Sequence, residues 1–385
     1  MYLIEVKTPE QEILFLNLPN IIYKNDSNWI KPLDQDIRKV FDTNKNKLYT
    51  KGGKTIRYNL FNNENEHIGR IAAFISPKYE NSKVGGFGFF ECINNQNAAN
   101  LLLDEAKLWI SQQGIDTMDG PINFGERDQW WGLLIQGFNE PLYGMNYNPQ
   151  YYVKLFENYG LKTYYNQECF ALNLKDKFKD KFYIQHQEIK NLGGYKAEHF
   201  QKKYLKKYAA DFHEIYNKAW ATHDDGKQLT LQQAENIFKS MKAVVEEKIV
   251  WFVYKDGKPI AFWLNLPDLN QYFKHLNGKF NLIYKLYFLV LQKFIKNKRI
   301  IGIVFGVIPE YHGTGVDSFM IIEGCKVIHN QLGYENYEMQ WIGDFNPKMI
   351  KVAENLGSHI SRRLRTYRIH FDNRPVELHK KIGLK

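Results

Sequence analysis

The chain has 385 residues, more than one hydrophobic core usually organises, so at least two folding units are expected. Hydrophobic residues make up 44% and charged residues 24%, a soluble globular composition that excludes a largely disordered chain, and the aromatic share is high at 15%. The formal charge of +10 favours a polyanionic partner, whether nucleic acid, an anionic membrane surface or a phosphorylated ligand.

The N-terminal stretch "MYLIEVKTPEQEILFLNLP" interrupts its apolar positions with acids and lacks the order of a signal peptide. Residues 54–77 read as strand, polar turn, strand. "KVGGFGFFECI" continues as an apolar strand, with Gly85, Gly86 and Gly88 marking a bulge or a close backbone approach. "AANLLLDEAKLWISQQG" is a helix and "IDTMDGPINF" a further strand; the aromatic mixture around Trp130 and Trp131 could shape an acceptor pocket or anchor the core. In 148–174, Asn148-Pro149 opens a short helix, Glu157 to Gly160 closes it, and an alternating strand follows. The lysine-rich stretch 175–203 separates two halves.

The second half repeats that layout. Two helical segments, 204–221 and 230–247, precede "KIVWFVYKDGKPIAFWLNLP", where Asp256-Gly257 signals a hairpin. A mostly helical insertion, 268–298, follows. Its basic amphipathic part, 284–298, is expected to pack between the halves, with a membrane or partner surface as the alternative. Its most apolar span, Asn281 to Ile295, is too short and too charged to cross a bilayer. Then come the strand "RIIGIVFGVIP", the helix "FMIIEGCKVIHNQLG", the strand "ENYEMQWIGDF", an Asn346-Pro347 helix closed by Glu354 to Gly357, and a last strand to Phe371. The order β-β-β-α-β-α-β thus occurs twice. The domains expected are 1–180, a linker at 181–203, and 204–385.

Between the third strand and its helix in the second half lies "VIPEYHGTGVDS". Gly313 and Gly315 let backbone amides converge at a helix N-terminus, an anion site suited to phosphate. The corresponding turn of the first half, "CINNQNAAN", manages without glycine, so a ligand is the expected reason for the pair.

This turn, inside the twice-repeated layout, resembles the acyl-CoA-binding loop of the GNAT superfamily of CoA-dependent N-acetyltransferases. The resemblance implies an α/β (α+β) fold of two GNAT-like domains, each a mixed, mostly antiparallel sheet flanked by helices. The N-terminal copy, lacking the loop, is expected to be degenerate. Phe305, Gly306 and Val307 would bond the pantetheine arm, His312, Gly313, Thr314, Gly315 and Val316 would cradle the phosphates, and Asn346 would lie near the pantetheine. The implied activity is transfer of an acetyl or other acyl group from acyl-CoA to a small-molecule or peptide amine. An aminoacyl-tRNA-dependent transferase of the same fold, with tRNA as partner, and a non-catalytic CoA-binding sensor are the alternatives.

The chain departs from the family pattern in three places, the first being His312 where the loop usually opens with Gln or Arg. Asp317 places an acid where the loop usually ends in Gly or Ala, and the usual catalytic Tyr position is Ala353, or Phe156 in the first copy. Asp344 and Glu338 remain as candidate bases and Tyr367 as a candidate donor. Cys92, Cys169 and Cys325 form no CxxC, which fits a reducing cytoplasm, and no metal motif is present. The triplet His223 to Asp225 reads as a turn. "KGGKT" lacks the first glycine of a nucleotide loop, that position being Leu48.

Overall fold

The computed structural model describes residues 1–76, 84–125, 127–220 and 228–382. The triplet 223–225 therefore lies outside the described residues. In chain order the first half contains β1 (Tyr2–Glu5), α1 (Pro9–Ile22), α2 (Asp34–Phe41), β2 (Lys54–Phe61), β3 (His67–Ile75), β4 (Val84–Cys92), α3 (Gln96–Gln112), β5 (Thr117–Gly120), β6 (Leu133–Gln136), α4 (Tyr152–Tyr159) and β7 (Lys162–Asn173). The second contains α5 (Asp180–Leu192), β8 (Tyr195–His199), α6 (Leu205–Trp220), α7 (Leu231–Met241), β9 (Trp251–Lys255), β10 (Lys258–Pro267), α8 (Asn270–Phe273), α9 (Leu282–Phe294), β11 (Arg299–Val307), α10 (Val316–Val327), β12 (Asn336–Met339), β13 (Ile342–Gly343), α11 (Pro347–Asn355) and β14 (His359–His370).

The repeated β-β-β-α-β-α-β order is present as β2 to β7 and as β9 to β14. Local chemistry accounts for many of the ends. Asp256 and Gly257 have φ of 48° and 80°, as a two-residue hairpin turn requires. Asn346 caps α11 by accepting from the Met349 amide, with Pro347 at the first helical position. Its counterpart Asn148 does something else: it is buried and bonds both backbone groups of Leu134, and α4 starts at Tyr152 without a side-chain cap.

All fourteen strands among the described residues join one sheet. Twelve follow the order β1-β2-β3-β4-β5-β14-β7-β12-β11-β10-β9-β8, while β6 pairs with β14 and β13 with β7. Among the described residues only β4/β5 and β11/β12 are parallel. The two halves exchange their last strands: β14 pairs with β5 of the first half, β7 with β12 of the second, and the two run antiparallel to each other at the centre. Two principal cores lie on either side of that centre, one around α3, α4 and β4, the other around α10, α6 and β9 to β11.

Residues 181–203, expected as a linker, form most of α5 together with β8. Phe182, His186 and Ile189 of α5 are buried, and β8 extends the sheet edge beside β9. Lys181 and Lys190 stand on the exposed side of α5 and the other lysines of the stretch fall outside that helix, so a composition-based reading takes the whole for a spacer.

Candidate functional site

In the second half the two parallel strands part company. Pairing of β11 with β12 runs only from Arg299↔Asn336 to Gly302↔Met339, closed by the Gln340 amide on the Gly302 carbonyl at 3.0 Å. Beyond that point β13 turns to β7, so the rest of β11 keeps β10 on one side and leaves its other edge unpaired by any strand. The splay opens a cleft of about 1130 Å³, including its mouth, with Phe305, Tyr337, Met339 and Trp263 among its walls and Gly313 and Asp317 at its rim.

The glycine loop stands at that rim. Pro309–Tyr311 makes one helical turn, His312 folds back so that its Nε2 lies 2.9 Å from the Val307 carbonyl, and Thr314 Oγ1 donates to the Tyr311 carbonyl at 2.9 Å. The amides of Gly313, Gly315, Val316, Asp317 and Ser318 take no part in the backbone hydrogen bonds of the turn or of α10. Among the described residues they are free donors, gathered at and just before the positive N-terminal end of α10. His312 closes the loop through its side chain, and Asn346 is a helix cap; neither is among the residues that line the cleft. Asp317 does line it.

The glycines have causes of their own. Gly313 and Gly315 have φ of 76° and 92°, a backbone that L side chains rarely adopt, and a Cβ on Gly315 would come within 2.9 Å of Gln185 in α5. The sister turn avoids the requirement because Asn95 caps α3 with its side chain, accepting from the Ala98 amide. The expectation that only a ligand explains the pair is therefore too strong. Around Gly313 nothing lies within 4 Å of an added Cβ, so there the space is open as well.

At the equivalent place in the first half the strand edge is already bonded. The end of β4 is bonded by tyrosines of the α4 segment: Tyr151 Oη donates to the Cys92 carbonyl and the Cys92 amide donates to Tyr152 Oη, each at 2.7 Å. These hydroxyls use the strand-edge groups that a pantetheine arm would need. A Cβ on Gly88 would overlap the Ile122 carbonyl, so the glycine is there for the backbone approach its position suggested. Phe156 fills the position of Ala353, and behind it Arg70, Glu91, Tyr23 and Tyr152 form a buried polar cluster in which burial pushes the Glu91 carboxyl up and the Arg70 guanidinium down. Trp130 and Trp131 are core anchors, the latter donating to Tyr165 at 2.8 Å, although Trp130 also edges the first half's own pocket of about 920 Å³.

No protein-family model matches the chain. Over 378 residues it is 26% identical to the bacterial ceramide synthase of Caulobacter vibrioides, covering 95% of this chain and 96% of that protein. Over 382 residues it is 24% identical to protein YghO of Escherichia coli K12, covering 92% and 91%. Its structure aligns with a tandem GNAT protein from the clavulanic acid biosynthesis pathway at a TM-score of 0.55 and 8% identity, across 98% of this chain and 99% of that one. A GCN5-related N-acetyltransferase from Sphaerobacter thermophilus aligns at 0.51 and 10% identity, across 98% of each chain. The chain has the tandem GNAT fold.

Within this tandem GNAT frame the expected catalytic groups fall elsewhere than the cleft. Tyr367, expected as a donor, is fully buried in the first half's core against Phe156, because β14 is exchanged into that half. Burial pushes its phenol up to about 12. Asp344 Oδ2 accepts from the amide and the side chain of Asn166, both at 3.0 Å, and holds β7 in place. Glu338 is paired with Arg362, Nε to Oε1 at 2.5 Å and Nη2 to Oε2 at 3.1 Å, and also accepts from Ser361. These are structural bonds.

Tyr337 is the group that a reading of the sequence passes over. It enters the cleft from β12, its Oη accepts the Trp263 indole N–H at 2.9 Å, and its own proton has no protein acceptor among the described residues. Gly302 makes room for it, since a Cβ there would overlap the hydroxyl. Burial pushes its phenol well up, so the proton is held. Burial likewise raises the Cys325 thiol on the same wall to about 12, which keeps it out of thiolate chemistry. Lys179 and Lys181, from the lysine-rich stretch between the halves, add positive charge to the cleft that Asp317 also lines.

Proposed function

We propose that the protein is an N-acyltransferase that takes its acyl group from acyl-CoA bound in the C-terminal cleft and passes it to an amine. The observation that carries this reading is the splayed β11/β12 edge ending at five free loop amides, a shape that fits an extended amide-bearing arm with a pyrophosphate at one end. The sister copy, whose strand edge is bonded by Tyr151 and Tyr152 and whose turn lacks the glycine pair, supports assigning the donor to the C-terminal copy alone. The full-length similarity to a protein named for ceramide, an N-acylated long-chain amino alcohol, favours a long-chain amine as acceptor, and the apolar walls of the cleft accord with an acyl chain longer than acetyl.

In this reaction the amine attacks the thioester carbon, the C–S bond breaks, and CoA leaves as the thiol once the proton lost by nitrogen has been returned to sulfur. Alignment of the two substrates provides much of the rate. We assign to Tyr337 the hydrogen bond that stabilises the reacting carbonyl oxygen or protonates the departing sulfur, with Trp263 fixing its orientation. Titration calorimetry with CoA and with acyl-CoAs of increasing chain length tests the site: saturable binding that tightens with chain length is expected, and no heat from a folded sample opposes the reading. Tyr337→Phe should then lower kcat by about 100-fold, in the range of one lost donor, with little change in KM for acyl-CoA. It should also lose about 1–2 kcal/mol of stability, because the Trp263 N–H is left unpaired. A kcat within twofold of the parent would remove Tyr337 from the mechanism.

A further inference from the structure

Helix α9 uses only a narrow stripe to hold itself to the protein. Phe288 and Leu291 are buried and Tyr284 and Ile295 pack beside them, four positions on one side of the helix, against a cluster that includes Leu33 and Tyr143 of the first half and Tyr272, Phe273 and Leu276 of the second. To that extent it packs between the halves, as expected. The rest of the helix is also apolar and faces solvent: Leu282, Ile283, Leu286, Tyr287, Leu289, Val290 and Phe294 are between 42% and 76% exposed. Seven such side chains on thirteen consecutive residues form a contiguous patch of a kind that soluble monomers rarely leave bare.

The electrostatic setting of the patch says what covers it. From Leu269 to Pro309 the chain has seven Lys and Arg residues and neither Asp nor Glu. Lys274 and Lys298 are paired with Glu140 and Glu335 from other segments, and Arg299 with Asp268 at the root of the insertion. Lys279, Lys285, Lys293 and Lys296 meet no carboxylate among the described residues. The first three instead lie over the rings of Tyr284, Phe280 and Phe294, an arrangement that leaves their long stems along apolar surface and their ammonium groups at its border. A second copy of the chain would bring the same unpaired lysines against these, so self-association through this face is opposed by like charge. At about 20 Å, thirteen residues at 1.5 Å each, the helix is too short to span a bilayer and suited to lie along its surface.

We propose that α9 docks the protein flat on an anionic lipid bilayer, its outer apolar face entering the headgroup boundary and Lys279, Lys285, Lys293 and Lys296 meeting lipid phosphates. The helix is presented rigidly, capped by Asn281 on the Tyr284 amide and followed by the Arg299–Asp268 pair at the root of the insertion. The same insertion contributes Asn270 to the wall of the first half's pocket, so docking brings that pocket close to the lipid. The proposal does not depend on the acyltransferase reading, because it concerns adhesion to vesicles and not turnover.

Co-sedimentation of the full chain with phosphatidylcholine vesicles, with and without phosphatidylglycerol, tests it. Binding is expected only when phosphatidylglycerol is present, weakening as salt is raised. The double variant Leu286→Asp, Leu289→Asp, at two exposed positions where the melting temperature should hold, is expected to bind at least tenfold more weakly; Lys293→Glu with Lys296→Glu should bind more weakly and lose most of the salt dependence. The proposal is overturned if the parent protein stays in the supernatant with anionic vesicles at low salt, or if the double Asp variant binds as well as the parent. It is equally overturned if light scattering shows a dimer that the Asp substitutions convert to monomer, since the face then belongs to a second copy.

Discussion

Gly313→Asp is expected to abolish CoA binding, weakening it by 100-fold or more, while the protein melts within a few degrees of the parent. At Gly313 a side chain can be added to the rim without meeting anything, since no atom lies within 4 Å of the Cβ position. The backbone cost is modest: φ is 76°, and Asp is among the residues that tolerate the left-handed region, at about 1 kcal/mol. The electrostatic cost is larger. A carboxylate placed beside the free amides would stand a few ångströms from a pyrophosphate, where each pair of like charges costs about 1–4 kcal/mol at a partly exposed site. Asp317 already lines the same cleft, so Lys179 and Lys181 could not offset a second acid. Gly313→Asn carries the same backbone cost without the charge and should keep CoA affinity within a few-fold. Calorimetry on the pair separates the two contributions: equal loss in both variants would mean that loop geometry, and not charge, controls the site, and no loss in either would take the phosphates away from this loop. Gly315→Glu is less informative, because its side chain would also push against Gln185 and disturb the packing of α5 on α10.

The twofold repeat was readable because its marks are local. Asn-Pro before a helix, Glu-Asn-x-Gly after it, and Asp256-Gly257 between two alternating runs each report on a few consecutive backbone angles, and the element order follows from them. Which strand a given strand pairs with is not local. The alternation in β7 and β14 places the same side chains on the same faces whether each strand returns to its own half or crosses to the other, so the exchange left no mark in the pattern. The displacement of Tyr367 into the first half's core follows from that single ambiguity. Residues 181–203 were misread for a related reason: Phe182, His186 and Ile189 are buried at helical spacing, but lysines outnumber them and set the apparent character of the stretch. Tyr337 was invisible because its situation comes from Trp263 and Gly302, on two other strands of the sheet. The exposed face of α9 could be seen in the sequence only as a choice between packing and docking, and the helix does the first with one side and leaves the other bare.

Glu338→Ala is expected to lower stability by about 3–5 kcal/mol and to leave the rate of acyl transfer, measured well below the melting temperature, within a few-fold of the parent. Glu338 and Arg362 are 5% and 2% exposed. Burial alone would lower the Arg362 pKa, but its bonds to Glu338 raise it, so the guanidinium is charged and depends on that partner. Removing the carboxylate strands a buried cation whose remaining acceptors are the carbonyls of Asn139 and Glu140, at 3.2 and 3.1 Å. Breaking one side of such a pair costs more than the pair contributes. The consequence is magnified by position. Glu338 belongs to β12 and Arg362 to β14, and β7 runs between them, so the pair bridges three strands at the point where the halves exchange them. A shift on the order of 10 °C in melting temperature is expected. Replacing both residues, Glu338→Met with Arg362→Met, should recover most of the loss, since an apolar pair of similar volume leaves no charge behind. If Glu338→Ala instead melts like the parent and loses activity by 100-fold, Glu338 is the base after all; the bidentate geometry to Arg362 argues for the opposite result, because a carboxylate that must accept a proton from an amine cannot have both oxygens committed to a guanidinium.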